Sequence, residues 1–422
     1  MSHILGVTSS LRSKMNPKKV LRKIKNFRDF DSVVAYINEQ AVAGELSNSE
    51  AGLVAGIYGA MSLGTEVKDI IVLKDIYNKK SQLPSSWTDR LRRLLNDCQG
   101  LLFATPVYFG DRSSYLNAFL TYLDQEKLVP EACVAGFISA GAKRNGGQET
   151  TNIFGILDCL RLGLYAVSNG PPTSQYGGTI FAGSIGSVAD ESFGLTTSKG
   201  TGKRVGEVSK LLNFDTKPNL KILLVGVSCE RILDLAEKVE SALKRKKRIK
   251  VEFLNLADYA IERCRACASC PNPRTKKNDY KCIIPDEMKK IRSKIIDSDA
   301  LLILSEGEND PHFQYQIFME RTRFIRRNNF ELTNVPVAQI HLNSTKEMSI
   351  FPARILTSFL RHNTVFVAPP LIISGKENKF VFKTGTEKYI DRFIESCRRI
   401  VGGSQVVSLE NNYYEPVGYR AM

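Results

Sequence analysis

The sequence predicts an α/β protein of two doubly wound parallel-sheet domains in tandem, and three observations carry that expectation. Apolar runs of strand length alternate with amphipathic helical segments along the chain. The runs are continuous Val/Ile/Leu stretches, as strands covered on both faces require, rather than alternations of apolar and polar residues. The 422 residues exceed one ordinary core and suit two domains of roughly 200 residues each.

In the first half the strand candidates are HILGVTS, VKDIIVLKD, GLLFATPVYF and ACVAGFISA, with helical segments SNSEAGLVAGIYGAMSLG and WTDRLRRLLNDC between them. A basic insertion at about 13–45 follows the first strand. In the second half the strands are LKILLVGVS, KVEFLNL, ALLILSE, VPVAQIHL and TVFVAPPLII, separated by helices such as ILDLAEKVESAL, DEMKKIRSKII and EKYIDRFIESCRRI. The joint falls at Asp215 to Asn219, where Lys and Pro precede a new first strand. The expected domains are therefore 1–214 and 217–402, with a tail at 403–422 that carries Tyr413 and Tyr414.

Apolar content of 43% with 24% charged residues fits a folded, soluble chain. No apolar run approaches the ~18 residues of a membrane span, and the N-terminus lacks a signal-peptide pattern, so the expected location is the cytoplasm. Nine cysteines, four of them clustered, suit a metal or redox site in a reducing compartment better than a disulfide framework. The other five, Cys98, Cys133, Cys159, Cys229 and Cys397, lie mostly in apolar patterns and read as packing residues. The net charge of +15 raises nucleic acid as a partner, but no aromatic interleaving or binding motif accompanies the basic residues. The densest run, Lys244 to Arg248, reads as a solvated helix end, with an acidic protein partner as the alternative. Arg321, Arg323, Arg326 and Arg327 read as a solvated helix face.

Ligands of such folds sit beyond the carboxyl ends of the strands, so those loops hold the candidate sites. The first strand leads into Thr8-Ser9-Ser10-Leu11-Arg12-Ser13, and Ser47-Asn48-Ser49-Glu50 opens the next helix after the insertion. Hydroxyls, a guanidinium and free N–H groups at a helix start suit a phosphate monoester; taken alone they equally suit a plain capped helix. Thr105-Pro106-Val107-Tyr108-Phe109-Gly110 ends one buried strand, and the loop from Ser139 to Thr150, with Asn145-Gly146-Gly147-Gln148, ends the next. Glycines let backbone approach a flat ring, and the aromatic pair can wall it.

Together and in this order, these loops resemble those of the NAD(P)H-dependent FMN reductases and iron–sulfur flavoproteins, a flavodoxin-like family. The resemblance covers nearly all of 1–210, through Tyr176-Gly177 and Gly202-Lys203-Arg204. It implies that Ser9, Ser10 and Arg12, with Ser47, Asn48 and Ser49, hold the phosphate of FMN. It also implies that Pro106, Val107, Tyr108, Phe109 and Gly110, with Asn145, Gly146, Gly147 and Gln148, border the isoalloxazine. The family's Lys and Asp-Arg after the Pro-x-Tyr loop are here Asn117 and Thr121-Tyr122.

In the second half, Cys264, Cys267 and Cys270 recur at every third residue, Cys282 follows, and Pro285-Asp286-Glu287-Met288 opens a helix. The first three spacings match cubane iron–sulfur ligation. Zinc also accepts four thiolates, although its structural sites usually pair two separated Cys-x-x-Cys units. This arrangement is similar to the iron–sulfur flavoproteins, and the resemblance implies a [4Fe–4S] cluster on all four cysteines. The flavin loops have no counterpart here: Ser228-Cys229-Glu230, Ser305 to Asp310 and His341 to Lys346 stand in their places, and the carboxylate of Glu230 would repel phosphate. His312 and His341 read as satisfied histidines without ligand spacing.

The function implied is an oxidoreductase passing electrons between FMN in the first domain and the cluster in the second. NAD(P)H or a ferredoxin-like carrier would be its redox partner, and a pseudo-dimer of the two domains or a homo-oligomer its assembly. The alternatives are an NAD(P)H:quinone or flavin reductase with structural zinc, and a non-enzymatic flavin redox sensor or adaptor. Gly200 to Gly206 match neither a dinucleotide fingerprint nor a Walker sequence and follow no strand.

Overall fold

The computed structural model describes residues 2–77, 83–171, 173–183, 188, 191–214, 218–227, 231–267, 282–307, 313–343, 349–374 and 384–407. Two units emerge, Met1–Asn213 and Phe214–Met422. The first runs β1 (His3–Thr8), α1 (Pro17–Ile24), α2 (Phe30–Val42), α3 (Asn48–Met61), β2 (Glu66–Val72), α4 (Leu73–Ile76) and α5 (Ser85–Leu95). It continues through β3 (Gly100–Pro106), α6 (Ser114–Gln125), β4 (Val134–Gly141), α7 (Gln148–Leu162), β5 (Tyr165–Ala166), β6 (Gly178–Phe181) and α8 (Ser192–Leu211).

All described pairings in this unit's sheet are parallel, in the order β2-β1-β3-β4. Two short strands share the outer edge of β4: β5 pairs at Val134 and Ala135, and β6 at Ile138 to Gly141. Counted as one interrupted strand, they complete the 2-1-3-4-5 order of flavodoxin-like sheets. Every residue of β4 is buried, as is β3 up to Pro106, which explains why both read as continuous apolar runs. The run VKDIIVLKD is a strand only to Val72; Leu73 and Ile76 are then buried one helical turn apart in α4.

The helices α3 and α8 pack together through glycines. A Cβ on Gly59 would stand 2.0 Å from the Lys199 carbonyl oxygen, and one on Gly202 would stand 1.7 Å from that of Gly56. The Gly200–Gly206 segment therefore lies inside α8, and its spacing serves close helix approach rather than a nucleotide loop.

The second unit contains β7 (Leu220–Val227), α9 (Arg231–Lys244), β8 (Ile249–Asn255), a 3₁₀ turn (Leu256–Asp258), α10 (Met288–Ile296), β9 (Ala300–Gly307) and α11 (Phe313–Arg321). Then follow α12 (Arg323–Asn329), β10 (Pro336–Asn343), α13 (Phe351–Leu360), β11 (Val365–Phe366), β12 (Leu371–Ser374) and α14 (Thr384–Val406). Its parallel order is β8-β7-β9-β10, with β11 and β12 both on β10. The apolar run TVFVAPPLII is two strands rather than one, because Pro369 and Pro370 cannot donate to a ladder. The last helix continues to Val406, past the point where a tail was expected at 403, and Tyr413 and Tyr414 lie outside the described residues.

His341 is buried with Nδ1 2.9 Å from Ser305 Oγ, a core pair at the carboxyl ends of β10 and β9. Cys98, Cys133, Cys159 and Cys397 are buried free thiols, and burial pushes those of Cys133, Cys159 and Cys397 upward. Cys229 and His312 lie outside the described residues. The basic run after α9 is neutralised locally: Lys244 pairs with Glu240 at 2.8 Å, Arg245 with Glu387 at 3.5 Å, and Lys246 with Asp391. Among the described residues no helix is long and apolar enough to cross a membrane.

Candidate functional site

At the carboxyl edge of the first sheet, β1 ends in a turn tied to its neighbour strand. Ser9 N donates to the Ala104 carbonyl at 3.0 Å and Ser9 Oγ to the same oxygen at 3.4 Å, while Ser113 Oγ donates to the Ser9 carbonyl at 3.1 Å. Ser10 closes the turn by accepting from Arg12 N at 3.3 Å. The Arg12 side chain is exposed and forms no ion pair among the described residues. Ser9 thus shapes the loop, whereas the Arg12 side chain stays exposed beside it.

Ser47 caps α3, and Glu50 accepts from its N–H at 2.9 Å and from its hydroxyl at 2.8 Å. The same carboxylate accepts from Ser13 Oγ across the insertion. Chain segments that the sequence separates by the insertion are therefore joined through Glu50, and Ser47, Asn48 and Ser49 are brought to the β1 turn. Glu50 is fully buried. Burial raises its pKa against the lowering effect of the Ser13 and Ser47 hydrogen bonds and of Lys74, so its negative charge is disfavoured beneath a loop suited to an anion. In the sequence Glu50 reads only as part of a cap; the signal for Ser13 as its partner is three-dimensional.

The next two loops touch. Val107 N donates to the Ala140 carbonyl at 2.9 Å, and Tyr108 and Asp111 exchange backbone hydrogen bonds of 2.7 and 3.0 Å to close a tight turn. Phe109 and Gly110 occupy the left-handed region at φ 51° and 80°. A Cβ on Gly147, itself at φ 95°, would lie 2.8 Å from Gly110 Cα, so glycine is required for this approach. The Gln148 amide is engaged with its own loop and with β6: Oε1 accepts from Gly146 N at 2.9 Å, and Nε2 donates to the Lys143 carbonyl at 2.7 Å and the Ile180 carbonyl at 3.1 Å. Gln148 therefore holds the loop, while Gly146, Gly147 and exposed Asn145 form its rim.

Phe109 is fully exposed in a backbone conformation that costs a non-glycine residue about 1 kcal/mol. Its ring contributes no packing to offset that cost. Phe109→Asn is expected to raise the stability of the first unit by about 0.5–1 kcal/mol, because Asn tolerates this region. Chemical denaturation measures it, and a loss of stability would show that the ring packs after all.

A cavity of about 470 Å³ opens beside the glycine loop, lined by Arg144, Asn145, Gly147 and Gln148 and, opposite them, by Phe181 and Phe193. Neither the β1 turn nor Pro106 to Gly110 lines it. Phe181 is missed in the sequence because β6 is only four residues long and offers too little pattern to read as a strand, and Phe193 stands in the first turn of α8, where no motif marks it.

In the second unit Cys264, Cys267 and Cys282 are free thiols, the first and last half-buried and Cys267 exposed. Cys270 lies outside the described residues, and among those described no group of three or more His, Cys, Asp and Glu side chains is placed to hold a metal ion. The arginine at the end of α11 organises this segment. Arg321, expected on a solvated face, is 2% exposed. It donates to Asp286 at 2.6 and 3.0 Å, to the Glu262 carbonyl at 2.7 Å and to Cys282 Sγ at 3.4 Å. Its neighbour Glu320 accepts from Cys264 N at 3.4 Å. Sequence periodicity places an arginine on a helix but does not reveal that a loop folds over it.

The fold of the first unit defines a flavodoxin-like α/β protein with the β1, β3 and β4 loops at the carboxyl edge of its sheet, where ligands of such folds sit. Residues 3–160 match the family model of the NADPH-dependent FMN reductases. The chain is similar to an iron-sulfur flavoprotein of Methanocaldococcus jannaschii, 32% identical over 131 residues that make up 29% of this chain and 65% of that protein. The chain thus spans 65% of the length of that curated relative. Among solved structures it is similar to RosB with a bound 8-demethyl-8-formylriboflavin-5'-phosphate intermediate, at 14% identity and a TM-score of 0.34 over 44% of this chain and 81% of that one. It is also similar to a WrbA-like flavodoxin protein from Agrobacterium tumefaciens, at 14% identity and a TM-score of 0.29 over 50% and 98% of the two chains.

Proposed function

We propose that the protein is an FMN-dependent oxidoreductase of the FMN reductase kind, with the flavin at the carboxyl edge of the first sheet and a thiolate-bound [4Fe–4S] cluster in the second unit. The observation that carries the flavin reading is the meeting of three loops, through Ser113 with Ser9 and through Gly110 with Gly147, within the segment that matches the FMN reductases. Arg12, Ser10 and the N–H groups at the start of α3 would receive the phosphate. Pro106 to Gly110 and Asn145 to Gly147 would border the ring, and Gln148 would act by holding its loop closed.

FMN, when bound, accepts a hydride as an electron pair and releases electrons singly. The chain's own residues would bind and orient it: the close Gly110–Gly147 approach would present backbone to the ring, and Arg12 would meet the phosphate charge. The donor set of the second unit fits thiolate ligation by its chemistry, since Cys264, Cys267 and Cys282 form no disulfide and a buried guanidinium donates to one sulfur. A two-electron donor such as NAD(P)H and a one-electron carrier such as a ferredoxin are the partners that this pair of groups would join.

An anaerobic absorption spectrum, with iron, zinc and sulfide counted on the same sample, tests this. The expected result is flavin bands near ~370 and ~450 nm, a shoulder near ~400 nm bleached by dithionite, and about four irons per chain. Flavin with zinc and no iron overturns the cluster and leaves a flavin reductase with a structural metal. Flavin without turnover from NAD(P)H or reduced ferredoxin leaves the redox sensor, and failure to bind added FMN removes all three.

A further inference from the structure

We propose that α1, on the insertion beside the β1 turn, is the docking surface for an acidic electron-carrier protein. From Arg12 to Arg28 the chain carries eight basic residues and no acid. Within α1, Lys18, Lys19, Arg22 and Lys23 are all exposed, and none forms an ion pair with a described acid. In the denser run after α9, Lys244, Arg245 and Lys246 are paired with Glu240, Glu387 and Asp391, so the densest basic run is not the one left unneutralised.

The charge on α1 opposes the helix that carries it. Lys18 with Arg22 and Lys19 with Lys23 are like-charged i,i+4 pairs, each unfavourable by a few tenths of a kcal/mol. The first turn holds two lysines and no acid, against the helix dipole. The helix is nevertheless built to stay formed: Asn16 Oδ1 accepts from Lys19 N at 3.1 Å, Pro17 opens it, and Val20 and Ile24 are buried where it packs on β2 and α3. A rigid element that sustains uncompensated repulsion is suited to a partner that supplies the missing negative charge.

The helix contains no aromatic side chain on which a nucleic-acid base could stack. Val20 and Ile24 face inward, leaving no apolar face to enter a bilayer. An acidic protein surface fits instead, and the position of α1 directly after the Ser9–Ser13 turn gives that protein its class. This inference rests on the flavin reading for the partner's redox character: one electron passes per encounter between the carrier and the first unit, so two encounters match one two-electron substrate turnover.

The test uses the full chain and an acidic plant-type [2Fe–2S] ferredoxin as probe. Calorimetric titration of the oxidised ferredoxin measures docking without electron transfer, at about 20 and about 200 mM salt. The expected result is binding that weakens roughly tenfold or more at the higher salt, and as strongly in a Lys18→Gln, Lys19→Gln, Arg22→Gln, Lys23→Gln variant whose thermal stability matches or exceeds that of the parent. Equal binding by parent and variant, no binding by the parent, or tighter binding of the parent to single-stranded oligonucleotide or anionic lipid vesicles overturns the proposal. Stopped-flow reduction by reduced ferredoxin separates the two readings: docking without electron transfer leaves the surface standing and removes its redox role.

Discussion

Arg321→Met is expected to destabilise the second unit by about 3 kcal/mol and to loosen the cysteine segment. The methionine keeps the aliphatic stem and removes only the charged fork. Asp286 is then left as a nearly buried carboxylate without its cation, and breaking a buried pair from one side costs roughly 3–5 kcal/mol because the remaining charge is uncompensated. The lower end is expected here, since Glu262 N at 2.8 Å and Met288 N at 3.2 Å still donate to Asp286. Burial pushes that carboxyl upward, but Arg321 and those two N–H groups outweigh it and hold it below the usual range. Denaturant unfolding reports the loss. Arg321 also links Glu262 and Cys282, which flank the cysteine segment, so thiol labelling of Cys264 and Cys282 should accelerate in the variant. Under the cluster reading, iron retained on dilution should fall as well. A change under about 0.5 kcal/mol would return Arg321 to the solvated face that sequence periodicity suggests.

Gly202→Ala is expected to cost the first unit at least about 3 kcal/mol, although intrinsic helix propensity favours alanine by about 1 kcal/mol. The added carbon would meet the Gly56 carbonyl oxygen at 1.7 Å. No rotamer relieves a clash between a Cβ and backbone, so α3 and α8 must separate. Both helices rest on the sheet that carries the proposed flavin loops, and Gly56 in turn packs toward Ile138 and Leu102 of that sheet. The cost of separation therefore exceeds the propensity gain. Gly385, within α14 and with no described atom near its ideal Cβ, is the control: Gly385→Ala should leave stability unchanged or slightly raised. Comparable effects at both positions would mean that close helix approach is not what Gly202 provides.

Much of the fold is legible in the sequence because strands buried on both faces must be apolar at successive positions, and β1, β3, β4, β7 and β9 satisfy that condition. Two short strands are not: β5 and β6 are two and four residues long, too short for a period to show. The candidate site is half legible. Its hydroxyls, glycines and aromatic pair stand in recognisable loops, yet the sequence cannot separate Gln148, whose amide is engaged with its loop and with β6, from Arg12, which is left outward.

What the sequence determines by itself is whatever depends on neighbours along the chain: apolar runs, caps, loops with glycine where backbone must turn, and cysteines at regular spacing. Only the tertiary structure decides which charge is neutralised. Lys246 and Arg321 both read as solvated, but Asp391 meets the first at the surface and Asp286 meets the second in the interior, while the lysines of α1 meet no described acid. Opposite charges interact across space with a strength set by distance and burial, and neither quantity is written in the order of residues.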